Sequence, residues 1–151
     1  MLIEDASAYF DLYGSSPYML LVQKIKSEHR KPLPSGYGKF NLKEKLYFLR
    51  SDLPSVTHID YSARIQTVHQ ETNPRFHQLI RSFKKITGCS VLVNTSFNVR
   101  GEPIVCTPED AYKCLMRTEM DYLIINNYLF AKSEQPFWKE NENWKETYQL
   151  D

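Results

Sequence analysis

Apolar positions along the chain follow two periods. Between residues 73 and 88, Phe76, Leu79, Ile80, Phe83 and Ile86 recur every three or four residues, the spacing of one helix face. Asn73 precedes this run as an N-cap and Pro74 takes the first helical position. Lys84 and Lys85 sit near the end, and Gly88 follows as a stop. A second helix is predicted from Thr107, an N-cap, through Pro108, Glu109 and Asp110 to about Thr118. Between them CSVLV (89–93) reads as a strand. DYLIIN (121–126) and YLFAK (128–132) read as two more, joined through Asn126-Asn127.

The first half is less regular. EDASAYFD (4–11) suits a short helix, and YMLLVQKI (18–25) a strand. Residues 29–40 hold two prolines and two glycines and read as loop, after which Asn41 caps a helical LKEKLYFL. Residues 29–55 are expected to form one partly mobile excursion between strands. SVTHID (55–60) and YSARIQTVHQ (61–70) read as strand, turn, strand. Alternation in the second puts Arg64, Gln66 and Val68 on one face and Ile65, Thr67 and His69 on the other. The element order predicts an α/β (α+β) layer fold, with a mixed twisted sheet and flanking helices over 1–132. Residues 133–151 read as a polar extension, solvated or weakly helical.

Length and charge narrow the functional classes. A chain of 151 residues suits one domain, and a net charge of +1 without a basic stretch disfavours a nucleic-acid binder. No apolar run approaches the length of a membrane span, and the acidic MLIEDASAYF start lacks the basic region of a signal peptide. A cytoplasmic location is expected. Three cysteines, Cys89, Cys106 and Cys114, have no metal-site spacing and read as reduced thiols. No phosphate-binding loop, dinucleotide fingerprint, nucleophile elbow or HExxH occurs.

One stretch concentrates binding chemistry. In VLVNTSFNVRGEPIV (91–105), Asn94, Ser96 and Asn98 alternate just past a predicted strand, where open α/β sheets bind ligands. Their amides and hydroxyl can meet phosphate or carbonyl groups. Arg64 can hold a phosphate or carboxylate in bidentate fashion, with His58, Asp60 and Arg100 as companions. Asn and Ser after a strand are equally ordinary turn formers. Glu102 and Asp110 read more simply as a loop acid and a helix-start acid. Residue chemistry by itself leaves the structural and the ligand-binding readings open.

THIDYSARIQTV (57–68) followed by TGCSVLVNTSFNVRGEPIVCTPEDAYKCLMRTEMDYLIINNYLFAK (87–132) resembles the C-terminal domain of the O-carbamoyltransferase family. That family acts on nodulation factors and antibiotics. Its patterns are approximately H-V-D-G-T-A-R-x-Q-T-V and N-T-S-F-N-x-x-G-E-P-I-V. The resemblance implies a YrdC-like fold that binds carbamoyl phosphate and ATP, with Mg²⁺, and forms carbamoyl-adenylate. It also implies an N-terminal domain with its own metal, in cis or in trans, where the carbamoyl group passes to a hydroxyl. Arg64, Ser96 and Asn98 would then carry the chemistry, and His58, Asp60, Gln66, Asn94, Arg100 and Glu102 would bind substrate or nucleotide. No protein metal cage is expected in this domain.

The chain departs from the pattern in three places. Tyr61-Ser62 stands for the usual Gly-Thr, residues 39–55 look peculiar to this chain, and the segment resembling R-E-x-W-R-P-F-A-P-S that precedes Met1 in family members is missing. The chain is therefore expected to be a fragment, a split subunit or a truncated product. The competing expectation is a non-catalytic module that docks the metal domain, and a homodimer stays compatible with either.

Overall fold

The computed structural model describes residues 1–99 and 101–139. Arg100 and the extension from residue 140 lie outside the described residues. The rest separates into two compact units, Met1–Val93 and Asn94–Asp151, each considered in its own right.

In the first unit, helix α1 (Ala6–Tyr9) follows a short 3-10 turn, Ile3–Asp5. Strand β1 (Leu21–Lys24) pairs antiparallel with β2 (Ser62–Ile65) in the register Leu21↔Ile65 to Lys24↔Ser62. Ala63 and Ile65 of β2 enter a core with Phe10, Leu12 and Ile25, while Arg64 between them faces outward. Helix α3 (Pro74–Thr87) has the predicted ends: the Asn73 side chain accepts from the Phe76 amide, and Gly88 is left-handed at φ 77. Its buried face is narrower than its apolar stripe. Ile80 is buried and Phe76 partly so, but Leu79 and Ile86 are exposed. His77 takes a buried place instead, 2.9 Å from the Glu4 carboxylate. Lys84, two turns further on, bonds both oxygens of Asp5 at 2.8 Å. These two contacts clamp α3 to the N-terminal turn.

The 29–55 excursion is tied down. Helix α2 (Leu42–Tyr47) starts in a reciprocal capping box between Asn41 and Glu44. Buried Arg50 closes its other end, donating to the carbonyls of Lys45, Leu46 and Thr57. Ser51 and Thr57 bond each other at 2.7 Å in the same buried pocket. Lys31 donates its amide to the Arg50 carbonyl at 2.7 Å, so both ends of the excursion are stitched together.

In the second unit, helix α4 (Pro108–Arg117) opens with a Thr107–Asp110 capping box. Its Ala111, Cys114 and Leu115 are buried, and Ala111 and Leu115 pack with Leu123. Strands β3 (Tyr122–Ile125) and β4 (Tyr128–Ala131) form the predicted hairpin, with Asn126 at φ 56 in its two-residue turn. The Leu123↔Phe130 face meets the helix, and Ile124 and Leu129 point away from it.

The α+β class holds, with the strands of the described residues in two two-stranded antiparallel sheets. Three expectations need correction. Residues 55–60 are not a strand: the amides of His58 and Tyr61 are spent on the Ser62 and His58 carbonyls of a turn. Residues 89–93 show the alternation of a strand without a ladder among the described residues. Cys89 and Val91 pack on one apolar cluster and Leu92 on another, so side-chain burial accounts for the pattern. Val68 is also buried rather than sharing the face of Arg64, because β2 ends at Ile65 and its alternation ends with it.

Replacing Arg50 with Ala strands three carbonyls that lose a charged donor. The expected loss is about 2–3 kcal/mol, read from denaturant unfolding. A loss below roughly 0.5 kcal/mol, typical of surface substitutions, would show that the excursion is not held this way.

Candidate functional site

Residues 58–62 form a tight, closed turn. The His58 amide donates to the Ser62 carbonyl at 2.7 Å, and the Tyr61 amide returns to the His58 carbonyl at 3.1 Å. Tyr61 closes it in the left-handed region, at φ 66. Inside the turn, Asp60 Oδ1 accepts the Ser62 amide at 3.0 Å and the Ser62 hydroxyl at 2.6 Å. His58 Nδ1 lies 2.9 Å from the same hydroxyl. His58, Asp60 and Ser62 therefore share one hydrogen-bonded chain. Ser62 is buried at its centre, and His58 and Asp60 are exposed at its ends. The Ser62 hydroxyl, and after it the Ser62 amide, hold the Asp60 carboxyl below the usual carboxylate range.

Beyond the turn, β2 carries Arg64 and leads to Gln66. Arg64 is exposed, and one guanidinium nitrogen donates to the Met19 carbonyl at 3.2 Å. Gln66 donates its amide to the Pro17 carbonyl at 2.9 Å. Both lean on the segment that precedes β1. That segment is held to the end of β2 by Ser16, whose hydroxyl donates to the Ile65 carbonyl at 2.8 Å.

The second unit supplies the polar loop. Asn94 and Ser96 are exposed. Asn98 is turned inward: its amide nitrogen donates to the carbonyls of Val99, at 3.1 Å, and Glu102, at 2.9 Å. Its hydrogens thus shape the loop, which reverses through Gly101 at φ 90. Glu102 lies 3.5 Å from Arg117 of α4, and both side chains are largely buried. Burial and the nearby Glu102 charge raise the Cys114 thiol, which favours its neutral form.

The structure gathers His58 and Asp60 around Ser62, and Arg64 and Gln66 onto one supporting segment, all within the first unit. Asn94, Ser96, Asn98 and Glu102 belong to the second. Arg100 lies outside the described residues. Sequence reasoning missed Ser62 and Arg117. The Asp-x-Ser spacing, which favours a side-chain-to-amide turn, was the available signal for Ser62. An open cavity of about 390 Å³ in the second unit is lined by Met120, Asp121, Tyr122, Lys132 and Ser133, none of them a predicted site residue. Among the described residues no three His, Cys, Asp or Glu side chains are grouped to hold a metal, and no helix is long and apolar enough to cross a membrane.

Comparison with known proteins gives this geometry a context. The sequence model of the carbamoyltransferase C-terminus matches residues 1–132. The uncharacterized protein sll1178 of Synechocystis is 57% identical over 152 residues, covering 100% of this chain and 25% of that protein. A 3'-hydroxymethylcephem-O-carbamoyltransferase of Amycolatopsis lactamdurans is 47% identical over 132 residues, 87% of this chain and 21% of that enzyme. The nodulation protein NolO of Bradyrhizobium diazoefficiens is 34% identical over 134 residues, with 87% and 21% covered. The chain thus spans a quarter or less of the length of these relatives.

The Asp60 shift has a signed consequence. Its folded pKa lies below the unfolded value near 3.9, so its contribution to stability is complete above about pH 4 and is lost as pH falls through the lower folded value. Ser62→Ala removes the largest cause of the shift. The stability gap between wild type and Ser62→Ala should narrow as pH falls below the ordinary carboxylate range. Thermal midpoints from about pH 2 to 7 would show this, and a gap independent of pH would break the coupling of Asp60 to Ser62.

Proposed function

The chain belongs to the carbamoyltransferase C-terminus family, and from that premise we propose that it is the part of an O-carbamoyltransferase that binds ATP and carbamoyl phosphate and forms carbamoyl-adenylate. A carbamoyl oxygen attacks the α-phosphorus of ATP, the bond to the β-phosphate breaks, and pyrophosphate leaves. The phosphate of carbamoyl phosphate leaves as orthophosphate with the addition of water. The carbamoyl group then passes to an acceptor hydroxyl, releasing AMP, in a further domain carrying its own metal. The cephem-modifying relative, by its name, makes such a transfer to a hydroxymethyl group.

The observation that supports this reading best is Arg64. It stands outward on a strand between two buried residues, Ala63 and Ile65, and its guanidinium is steadied on the Met19 carbonyl. A rigid base with an exposed cationic fork suits a phosphate, and preorganised donors of this kind stabilise anionic phosphoryl chemistry. Ser96 offers a hydroxyl, and Asn98 acts by shaping the loop that carries it. Mg²⁺ accompanying ATP would find phosphate oxygens and water as its main ligands.

Calorimetric titration of ATP and then carbamoyl phosphate tests the proposal. Saturable binding by the wild-type chain, weakened about 10- to 100-fold in Arg64→Ala, is expected from the loss of a charged hydrogen bond. Binding that is indifferent to Arg64→Ala removes this residue from the site. No pyrophosphate from the chain assembled with an N-terminal carbamoyltransferase domain overturns the adenylation step.

A further inference from the structure

We propose that the Asp60–Ser62 pair fixes His58 in its Nδ1–H tautomer, so that Nε2 presents a lone pair to the –NH₂ end of the carbamoyl group. The inference rests on the carbamoyl-phosphate reading above and adds the group that recognises the nitrogen end of that substrate.

The argument is a count of hydrogens. An ionised carboxylate only accepts, so the 2.6 Å contact must use the single hydrogen of the Ser62 hydroxyl. The hydroxyl then has only lone pairs for the ring nitrogen at 2.9 Å, and that nitrogen, Nδ1, must be the donor. In a neutral imidazole the proton on Nδ1 leaves Nε2 bare. Backbone geometry keeps the three groups in place: the Ser62 amide shares the carboxylate at 3.0 Å, and the His58 amide closes the turn on the Ser62 carbonyl at 2.7 Å. Ser62 is only 7% exposed, which shields the central hydroxyl, while His58 and Asp60 reach solvent.

A bare Nε2 is a poor partner for phosphate oxygens, which also only accept. It needs an N–H or O–H. Carbamoyl phosphate offers its –NH₂ group at the end opposite its phosphate. Ser62, the centre of the relay, precedes Arg64 by two residues on β2, roughly 6–7 Å of strand. A small substrate with its phosphate on Arg64 can therefore turn its nitrogen end toward His58. Asp60 and Ser62 are positioning residues in this scheme and His58 is the contact.

Long-range ¹H–¹⁵N correlation spectra of the labelled chain at about pH 8 read the tautomer directly. His58→Gln identifies the signals. The expected result is a protonated Nδ1 and an unprotonated Nε2, with Ser62→Ala shifting the population toward Nε2–H. Carbamoyl phosphate should move the Nε2 resonance, whereas inorganic phosphate and ATP should not. An Nε2–H tautomer in the unliganded wild type overturns the inference without any variant. So does Arg64-dependent binding of carbamoyl phosphate that leaves Nε2 unmoved, and that outcome spares the proposed function. If carbamoyl phosphate does not bind at all, the substrate contact falls with the proposed function, and the unliganded spectrum still decides the tautomer.

Discussion

The peptide of Tyr61 is the constraint on which the first unit depends. It sits at φ 66, where a bulky residue is strained by roughly 1–2 kcal/mol. Three contacts hold it there. Its carbonyl accepts the Ile25 amide at 2.9 Å, its hydroxyl donates to the Lys31 carbonyl at 3.1 Å, and the Arg30 guanidinium lies 5.2 Å from its ring centre. The carbonyl contact sets the β1–β2 register, and the ring contacts anchor the start of the long excursion. A glycine would adopt this φ without strain but could make neither side-chain contact. The tyrosine and the excursion belong together: the strained residue holds down the start of that segment.

The same turn couples architecture to chemistry. Ser62 begins β2 with its backbone and orders His58 and Asp60 with its hydroxyl. The strand that carries Arg64 outward is thus set in register by the residues that orient the imidazole. Arg64 and Gln66 then lean on one supporting segment. Their placement is a property of backbone carbonyls rather than of facing side chains, so it tolerates change in the residues of that segment as long as its path is kept.

The polar residues of the loop in the second unit divide into those that bond within it and those that face out. Asn98 is a turn former here, with both carbonyl contacts inside the loop, and Glu102 is the partner of Arg117. Asn94 and Ser96 remain on the outside. A loop stiffened from within by some of its polar residues can present the others at small entropic cost on binding.

The sequence by itself determined the local structures whose signals are local. Asn73-Pro74 and Thr107-Pro108 start their helices, Gly88 stops one, Asn41 caps another, and Asn126-Asn127 turns the hairpin, because each acts through hydrogen bonds or dihedral preferences within a few residues. The motifs that carry family membership were legible for the same reason. Tertiary structure decided what depends on distant partners. CSVLV has the alternation of a strand, yet a strand needs a neighbour, and Cys89, Val91 and Leu92 pack partly buried with no ladder among the described residues. Leu79 fits the helix stripe but is exposed, while His77 is buried because Glu4, far away in the chain, reaches it. The role of Ser62 could be suspected from Asp-x-Ser spacing, but only the folded turn brings the imidazole of His58 onto its hydroxyl. A periodic pattern reports which face of a segment is apolar. Which partner covers that face, and where a polar side chain finds its hydrogen bond, is settled by the chain as a whole.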